Sequence, residues 1–162
     1  MRLGILSDTH NHIARTREGV RILVDAGAEA LVHCGDLATP EIVAACAVRP
    51  FYFVFGNHDA DSVPQLQEAA GQHGATCLQW GGVIELAGRK VGVTHGHLTT
   101  DRRRVEALSP DYLLSGHCHA AFDVVEGGIR RINPGALYRA SSFSVAILDL
   151  VSDELTFLPV AR

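Results

Sequence analysis

The chain has 162 residues, 47% of them apolar and 20% charged, with a mean hydropathy of +0.13; this is the size and mixture of one globular domain and excludes a disordered or fibrous protein. A net charge of −4 and a pI near 6.1 argue against a broad basic face for long nucleic acid, and no apolar run approaches the ~20 residues of a membrane span. Four cysteines without a CxxC pair, and a start that reads directly as a strand without a signal-peptide pattern, predict reduced thiols and a cytoplasmic location.

RLGIL (2–6) reads as a strand ending in SDTHNH, and Ile13, Thr16, Val20, Leu23 and Val24 then share one face of a helix that stops near Gly27. ALVHC (30–34) predicts a buried strand, Pro40 to Val48 a helix capped by Thr39, and FYFVF (51–55) a third strand. Strand alternating with helix predicts right-handed βαβ units and a parallel sheet. Ser62 to His73 predicts a further helix with Ser62 as N-cap, Pro64 in its first turn and Gly71 and Gly74 at its end.

The rest is mostly β. GGVIELAGRKVGVTH (81–95) predicts two strands around Gly88, Thr100 to Leu108 a short helix, and DYLLSG (111–116) a strand. AFDVVEGGIRRIN (121–133) predicts a hairpin with Gly127 and Gly128 at its tip, and SFSVAILDL and ELTFLPV supply two more strands. Without a repeat or linker, residues 1–162 form one domain. Near ten strands are too many for one flat open sheet, so the expected fold is α/β, two packed mixed β-sheets flanked by helices.

Polar residues gather where the apolar runs end, as functional groups do at the carboxyl ends of strands in α/β sheets. The first strand delivers Asp8 and His10, the second Asp36, the third Asn57, His58 and Asp59, a later one His95 and His97, and the next His117 and His119. In extended backbone alternate side chains share a side, so His117 and His119 can converge while Cys118 turns away. Each group alone has a structural explanation: Asp8 and Asp36 as caps or turn formers, Asn57 closing a turn after Gly56, His95 as a hydrogen-bonded core residue. Together they call for a cation, because gathered carboxylates repel and buried polar groups need partners. The inventory exceeds the roughly four to six ligands of one ion, whereas two metals sharing a carboxylate, about 3.5–4 Å apart as in phosphoryl-ester chemistry, match it.

DTH (8–10), GDL (35–37), GNHD (56–59), THGH (94–97) and GHCH (116–119) resemble, in order and spacing, the five motifs of the calcineurin-like metallophosphoesterases. The small size and the NPGA segment (133–136), where relatives often show NPGS, are similar to the compact single-domain phosphodiesterase branch. The resemblance implies a four-layer αββα sandwich and two divalent transition metal ions, manganese first, with iron, zinc, nickel or cobalt as alternatives. Carried over by motif, Asp8, His10, Asp36 and His119 would hold one metal and Asp36, Asn57, His95 and His117 the other, with Asp36 as the bridge. His58 matches the family's non-ligand histidine, and His97 would stand in the second shell or at the rim; beside this, Asp59 is read from its place next to His58 as a catalytic residue that orients or charge-stabilises it. The implied reaction is hydrolysis of small diesters by a metal-bridging hydroxide, with His58 stabilising the transition state and protonating the leaving group.

Two positions depart from the pattern: Cys118, read as a buried inert thiol where relatives carry threonine or serine, and Ala136, which lacks a hydroxyl. Residues 60–94 and 98–116 leave no room for a sizeable cap domain, which favours diesters over the alternative of phosphomonoesters. A protein-binding scaffold, as in the retromer subunit of this fold, is the reading from another class, and the intact GNHD speaks for the enzyme. Arg102, Arg103 and Arg104 read as a solvated helix face, with Arg139 and Arg15 as weaker phosphate-binding candidates. The expected partner is a small phosphate ester, with no membrane and no broad nucleic-acid surface; exposed apolar strands would also permit a homo-oligomer.

Overall fold

The computed structural model describes residues 1–162. Its first half runs β1 (Arg2–Leu6), α1 (Ile13–Asp25), β2 (Ala30–His33), α2 (Pro40–Cys46), β3 (Phe51–Phe53), a 3-10 helix over Asn57–Ser62, α3 (Val63–His73) and β4 (Thr76–Cys77). Then follow β5 (Gly81–Leu86), β6 (Arg89–Thr94), α4 (Thr99–Glu106), β7 (Tyr112–Leu114), β8 (Phe122–Glu126), β9 (Ile129–Asn133), β10 (Phe143–Asp149) and β11 (Leu155–Val160). One sheet has the order β11-β10-β1-β2-β3-β4 and the other β5-β6-β7-β9-β8. Both are mixed: β1 to β4 are parallel with β10 and β11 antiparallel, and parallel β6, β7 and β9 are flanked by antiparallel β5 and β8.

The alternation of side chains along each strand divides one apolar run between two cores. Leu3 and Ile5 of β1 join Val32, Val91, Val93, Leu114, Ile132 and Leu148 in the layer between the sheets. Leu6, with Leu31, Phe51, Phe53 and Phe55, faces Leu23, Ile42 and Leu66 of α1, α2 and α3. Because both faces of this sheet are covered, β1 and β2 read as continuous hydrophobic runs. The fourth layer is α4, whose Val105 sits where a Cβ on Gly92 would come within 2.7 Å of its Cγ1. The glycine makes room for the helix.

The sandwich with helices outside is the expected fold, with local differences. α2 ends at Cys46 and β3 at Phe53, both earlier than the apolar runs suggest. Neither Thr39 nor Ser62 caps its helix through its side chain: the Thr39 hydroxyl donates to Asn11 Oδ1 at 2.9 Å and that of Ser62 to the Ala38 carbonyl at 3.0 Å. Both hydroxyls fasten loops around the polar cluster instead. The two-residue β4 was not foreseen, since an edge strand this short and exposed carries no hydrophobic periodicity.

The parallel strands β1, β2, β3, β6, β7 and β9 bring their carboxyl ends together, which is where this architecture puts its loops of function. β9 adds a sixth such end, whose following residues include Tyr138 and Arg139.

Candidate metal centre

Asp8 follows β1 and Asp36 follows β2, 0% and 2% exposed. Both take the left-handed backbone conformation, with φ of 53° and 61°, as do His10, His117 and His119. Five strained non-glycine residues in three loops mark a site whose geometry is imposed by its surroundings. One oxygen of each carboxylate is fixed by a backbone amide: His117 N–H donates to Asp8 Oδ2 at 3.1 Å and His58 N–H to Asp36 Oδ1 at 2.9 Å. The other oxygen is left to the histidines. Asp36 Oδ2 lies 3.3 Å from His10 Nε2 and 3.4 Å from His95 Nε2, and Asp8 Oδ1 lies 3.2 Å from His119 Nε2.

The tautomers show what this arrangement lacks. His95 Nδ1 is 2.7 Å from the Cys34 carbonyl and His119 Nδ1 is 3.3 Å from that of Arg139. Each Nδ1 therefore carries the proton and each Nε2 presents a lone pair, the usual arrangement of metal-ligating histidine. The His95 lone pair points at Asp36 Oδ2 and also at Asn57, whose side-chain oxygen is 3.1 Å away. Lone pair against lone pair is repulsive unless a positive charge lies between them. Asp8 Oδ1 and His10 Nε2 are buried without any hydrogen-bond partner, an expensive condition that a bound cation removes.

The electrostatics agree. Burial works to raise the Asp36 carboxyl, but the His10 and His95 imidazoles beside it outweigh burial and hold the group well below the usual carboxylate range. Burial works to lower His95, while the neighbouring carboxylates, Asp36 first and then Asp8, win and raise it. Both shifts express one demand, for positive charge at the junction of His95 and Asp36.

The ligand atoms form three overlapping groups: Asp8, His10 and His119; Asp8, Asp36 and His95; and His10, Asp36 and His58, with atoms inside 4.8 Å of one another in each. The first, with Asp36, brings together the set expected for one ion. Around the second, the His117 ring stands 5.2 Å from that of His95, whose Nε2 also lies 3.1 Å from Asn57 Oδ1. His58 also faces His10, with ring centroids 4.9 Å apart, and its side chain is exposed at the cavity mouth. His97 lies 5.4 Å from His95 and 6.1 Å from His117, at the rim. Burial first, and then its neighbours His95 and His117, push its imidazole below the ordinary histidine value.

Asp59 does not face His58. It is fully buried, and its two oxygens accept the amides of Asp36 at 2.8 Å, Ala38 at 2.7 Å and Gly56 at 2.7 Å. The side chain clamps the loop after β2 to the loop after β3. His33 acts similarly and was not foreseen. Its Nδ1 accepts the Gly35 amide at 3.1 Å, so Nε2–H donates to Thr9 Oγ1, also at 3.1 Å, and burial lowers its pKa to about 3. At Gly56 a Cβ would stand 2.1 Å from Asp36 Oδ1, and at Gly116 2.7 Å from Asp8 Oδ2. The glycines of GNHD and GHCH let backbone approach the two carboxylates.

A cavity of about 590 Å3 opens over the cluster, bounded by His10, Asp36, Asn57, His58, His117 and His119, with His12, Tyr138 and Arg139 as a side wall. The Tyr138 ring lies 4.7 Å from His10 and 4.8 Å from His12, and the Arg139 guanidinium sits 5.0 Å from its centroid. This wall was largely missed, since a tyrosine after an NPG turn carries no signal of its own. Arg15 is spent elsewhere, donating to the Leu137 carbonyl at 2.7 Å and lying over the Phe143 ring. Arg102 pairs with Glu106 and Arg104 with Asp101, away from the cavity. Cys118 is exposed, contrary to expectation, because it sits in a bend beyond the end of β7 and not in the strand; Asn133 Nδ2 lies 3.3 Å from its sulfur.

Comparison with known proteins agrees with the geometry. The chain is 25% identical over 160 residues to the phosphodiesterase MJ0936 of Methanocaldococcus jannaschii, covering 95% of this chain and 96% of that protein. An archaeal phosphodiesterase of known structure superposes with a TM-score of 0.87 at 24% identity, over 98% of this chain and 99% of the other. The phosphoesterase Yfce of E. coli gives 0.70 at 19% identity, over 99% and 100%. Vps29 of Entamoeba histolytica, solved with zinc, gives 0.63 at 19%, over 98% and 91%, so the fold also serves outside the phosphoesterases by name. Residues 1–153 match the calcineurin-like phosphoesterase superfamily domain, and the chain belongs to that superfamily.

Proposed function

We propose that this phosphoesterase is a phosphodiesterase with a dinuclear centre, in which Asp8, His10, Asp36 and His119 hold one ion and Asp36, Asn57, His95 and His117 the other. The observation that carries the reading is the position of Asp36 Oδ2, 3.3 Å and 3.4 Å from two imidazole nitrogens that approach from different loops. Manganese is the ion of choice, and iron, zinc, nickel and cobalt suit the same donors. When bound, the ions supply Lewis-acid activation of water and of the phosphoryl oxygens.

The protein's own groups do the rest. The amides of His58 and His117 hold the carboxylates in one orientation, so that no reorganisation is needed as charge builds at phosphorus. The His58 side chain, exposed beside His10, is free to donate a proton to the departing oxygen. Asp59 holds the loops after β2 and β3 in register, and His33 those after β1 and β2. A second hollow meets this cavity at Asn57, and the pair of hollows suits a phosphate carrying two ester arms.

The test is elemental analysis and turnover of bis(p-nitrophenyl) phosphate together. About two manganese ions per chain, with activity lost on chelation and restored by manganese, support the reading. Faster turnover of p-nitrophenyl phosphate than of the diester would move it to a phosphomonoesterase, and metal binding without turnover of either would favour a scaffold.

A further inference from the structure

Asn57 borders a second hollow. On its far side a groove of about 410 Å3 is lined by Asn57, Ala60, Trp80, His97, Leu98 and Asp101. We propose that this groove holds a nucleobase on the ester arm that stays with phosphorus after cleavage, an inference that rests on the phosphodiesterase reading above.

Its wall is a fixed aromatic surface. The Trp80 ring is half-buried and braced edge-on against the buried Phe55, with centroids 5.4 Å apart, and the His97 ring stands 6.0 Å away on the side of the metal cluster. Leu98, 46% exposed, gives a second apolar surface. Such a slot takes a flat ring, since stacking on a held aromatic needs little ordering of the protein. Asp101 completes it. Its carboxylate is paired with Arg104 at 3.6 Å and its side chain is only 19% exposed, so this end disfavours a second phosphate and accepts hydrogen bonds from the amino or imino groups of a base.

The position of the groove decides which arm it receives. His58, the proton donor to the leaving oxygen, belongs to the group of His10 and Asp36. The groove borders the other end of the cluster, where its His97 stands 5.4 Å from His95 and 6.1 Å from His117, whereas His58 stands against His10. An arm in the groove therefore points away from the departing oxygen and remains on the monoester product.

Trp80 is the only tryptophan in the chain, so its emission reports on the groove directly. The manganese-loaded protein is titrated with AMP and, separately, with ribose 5-phosphate, which carry the same phosphate and differ in the ring. AMP is expected to quench saturably at a concentration about tenfold below any effect of ribose 5-phosphate, the modest end of base stacking. Equal quenching by both overturns the proposal. A kinetic arm compares bis(p-nitrophenyl) phosphate with ethyl p-nitrophenyl phosphate, which release the same phenol and retain different arms. The KM ratio, about tenfold in favour of the retained ring, should fall toward unity in Trp80→Leu and in Leu98→Glu, the latter a surface change that leaves the core intact. An unchanged ratio in both variants also overturns it. Quenching by AMP without hydrolysis of either diester would support the groove and refute the phosphodiesterase reading; hydrolysis of both with no preference and no quenching would do the reverse.

Discussion

Replacing Asp59 by asparagine separates two roles for the one acid in the GNHD segment. The carboxylate takes three backbone amides, Asp36 and Gly56 on Oδ2 and Ala38 on Oδ1, all at 2.7–2.8 Å. An asparagine can accept on one atom only. With its oxygen toward Asp36 and Gly56, its NH2 group opposes the Ala38 N–H. One buried donor is then left unsatisfied, at about 1–3 kcal/mol, and two charge-assisted bonds become neutral ones, at about 1 kcal/mol each. The sum is about 3–5 kcal/mol, a large fraction of the ~5–15 kcal/mol that holds a typical domain together. Urea unfolding of the metal-free protein should show that loss as a lower midpoint at unchanged slope, and the melting temperature should fall by roughly 10 °C. A variant with wild-type stability and greatly reduced turnover would refute the clamp and restore Asp59 to the task of orienting His58.

Other outcomes follow from the same geometry. His58→Ala should keep both metals while turnover falls by roughly 10²–10⁴-fold; unchanged turnover in a steady-state assay would remove His58 from the chemistry. Gly56→Ala, whose Cβ would stand 2.1 Å from Asp36 Oδ1, should displace the Asp36 carboxylate, and metal analysis should show loss of bound manganese with the fold retained by circular dichroism. His33 has a folded pKa of about 3 against an ordinary 6.5. The unfolded chain therefore binds a proton in that window that the folded chain refuses, so the stability His33 contributes is present above pH 6.5 and is lost as pH falls toward 3. Unfolding of the metal-free protein across this range should be steeper in pH for wild type than for His33→Gln, which supplies a donor and an acceptor without titrating; equal slopes would contradict the assignment.

Much of this was legible because two independent patterns coincide. The apolar runs of β1, β2 and β3 alternate with helical periodicity, and each runs directly into a polar loop, so the strand ends and the acids and imidazoles that follow could be read from one string. The sandwich could be inferred from strand number alone. What escaped was whatever depends on the third dimension. Asp59 sits next to His58 in sequence, yet the 3-10 helix over Asn57–Ser62 turns it inward to the amides. His33 looks like one more residue of a buried strand, and only its contacts with Thr9 and Gly35 give it a task. Tyr138 and Trp80 lie outside the five motifs, and no local pattern announces that they come to stand against His10 and His97.

The most direct measurement is anomalous diffraction from crystals grown with manganese. Two peaks about 3.5–4 Å apart, one on either side of the Asp36 carboxylate and both within bonding distance of the imidazoles named above, are the predicted result. A single peak, or density elsewhere with the carboxylates still facing bare nitrogen, would contradict a centre shared through Asp36.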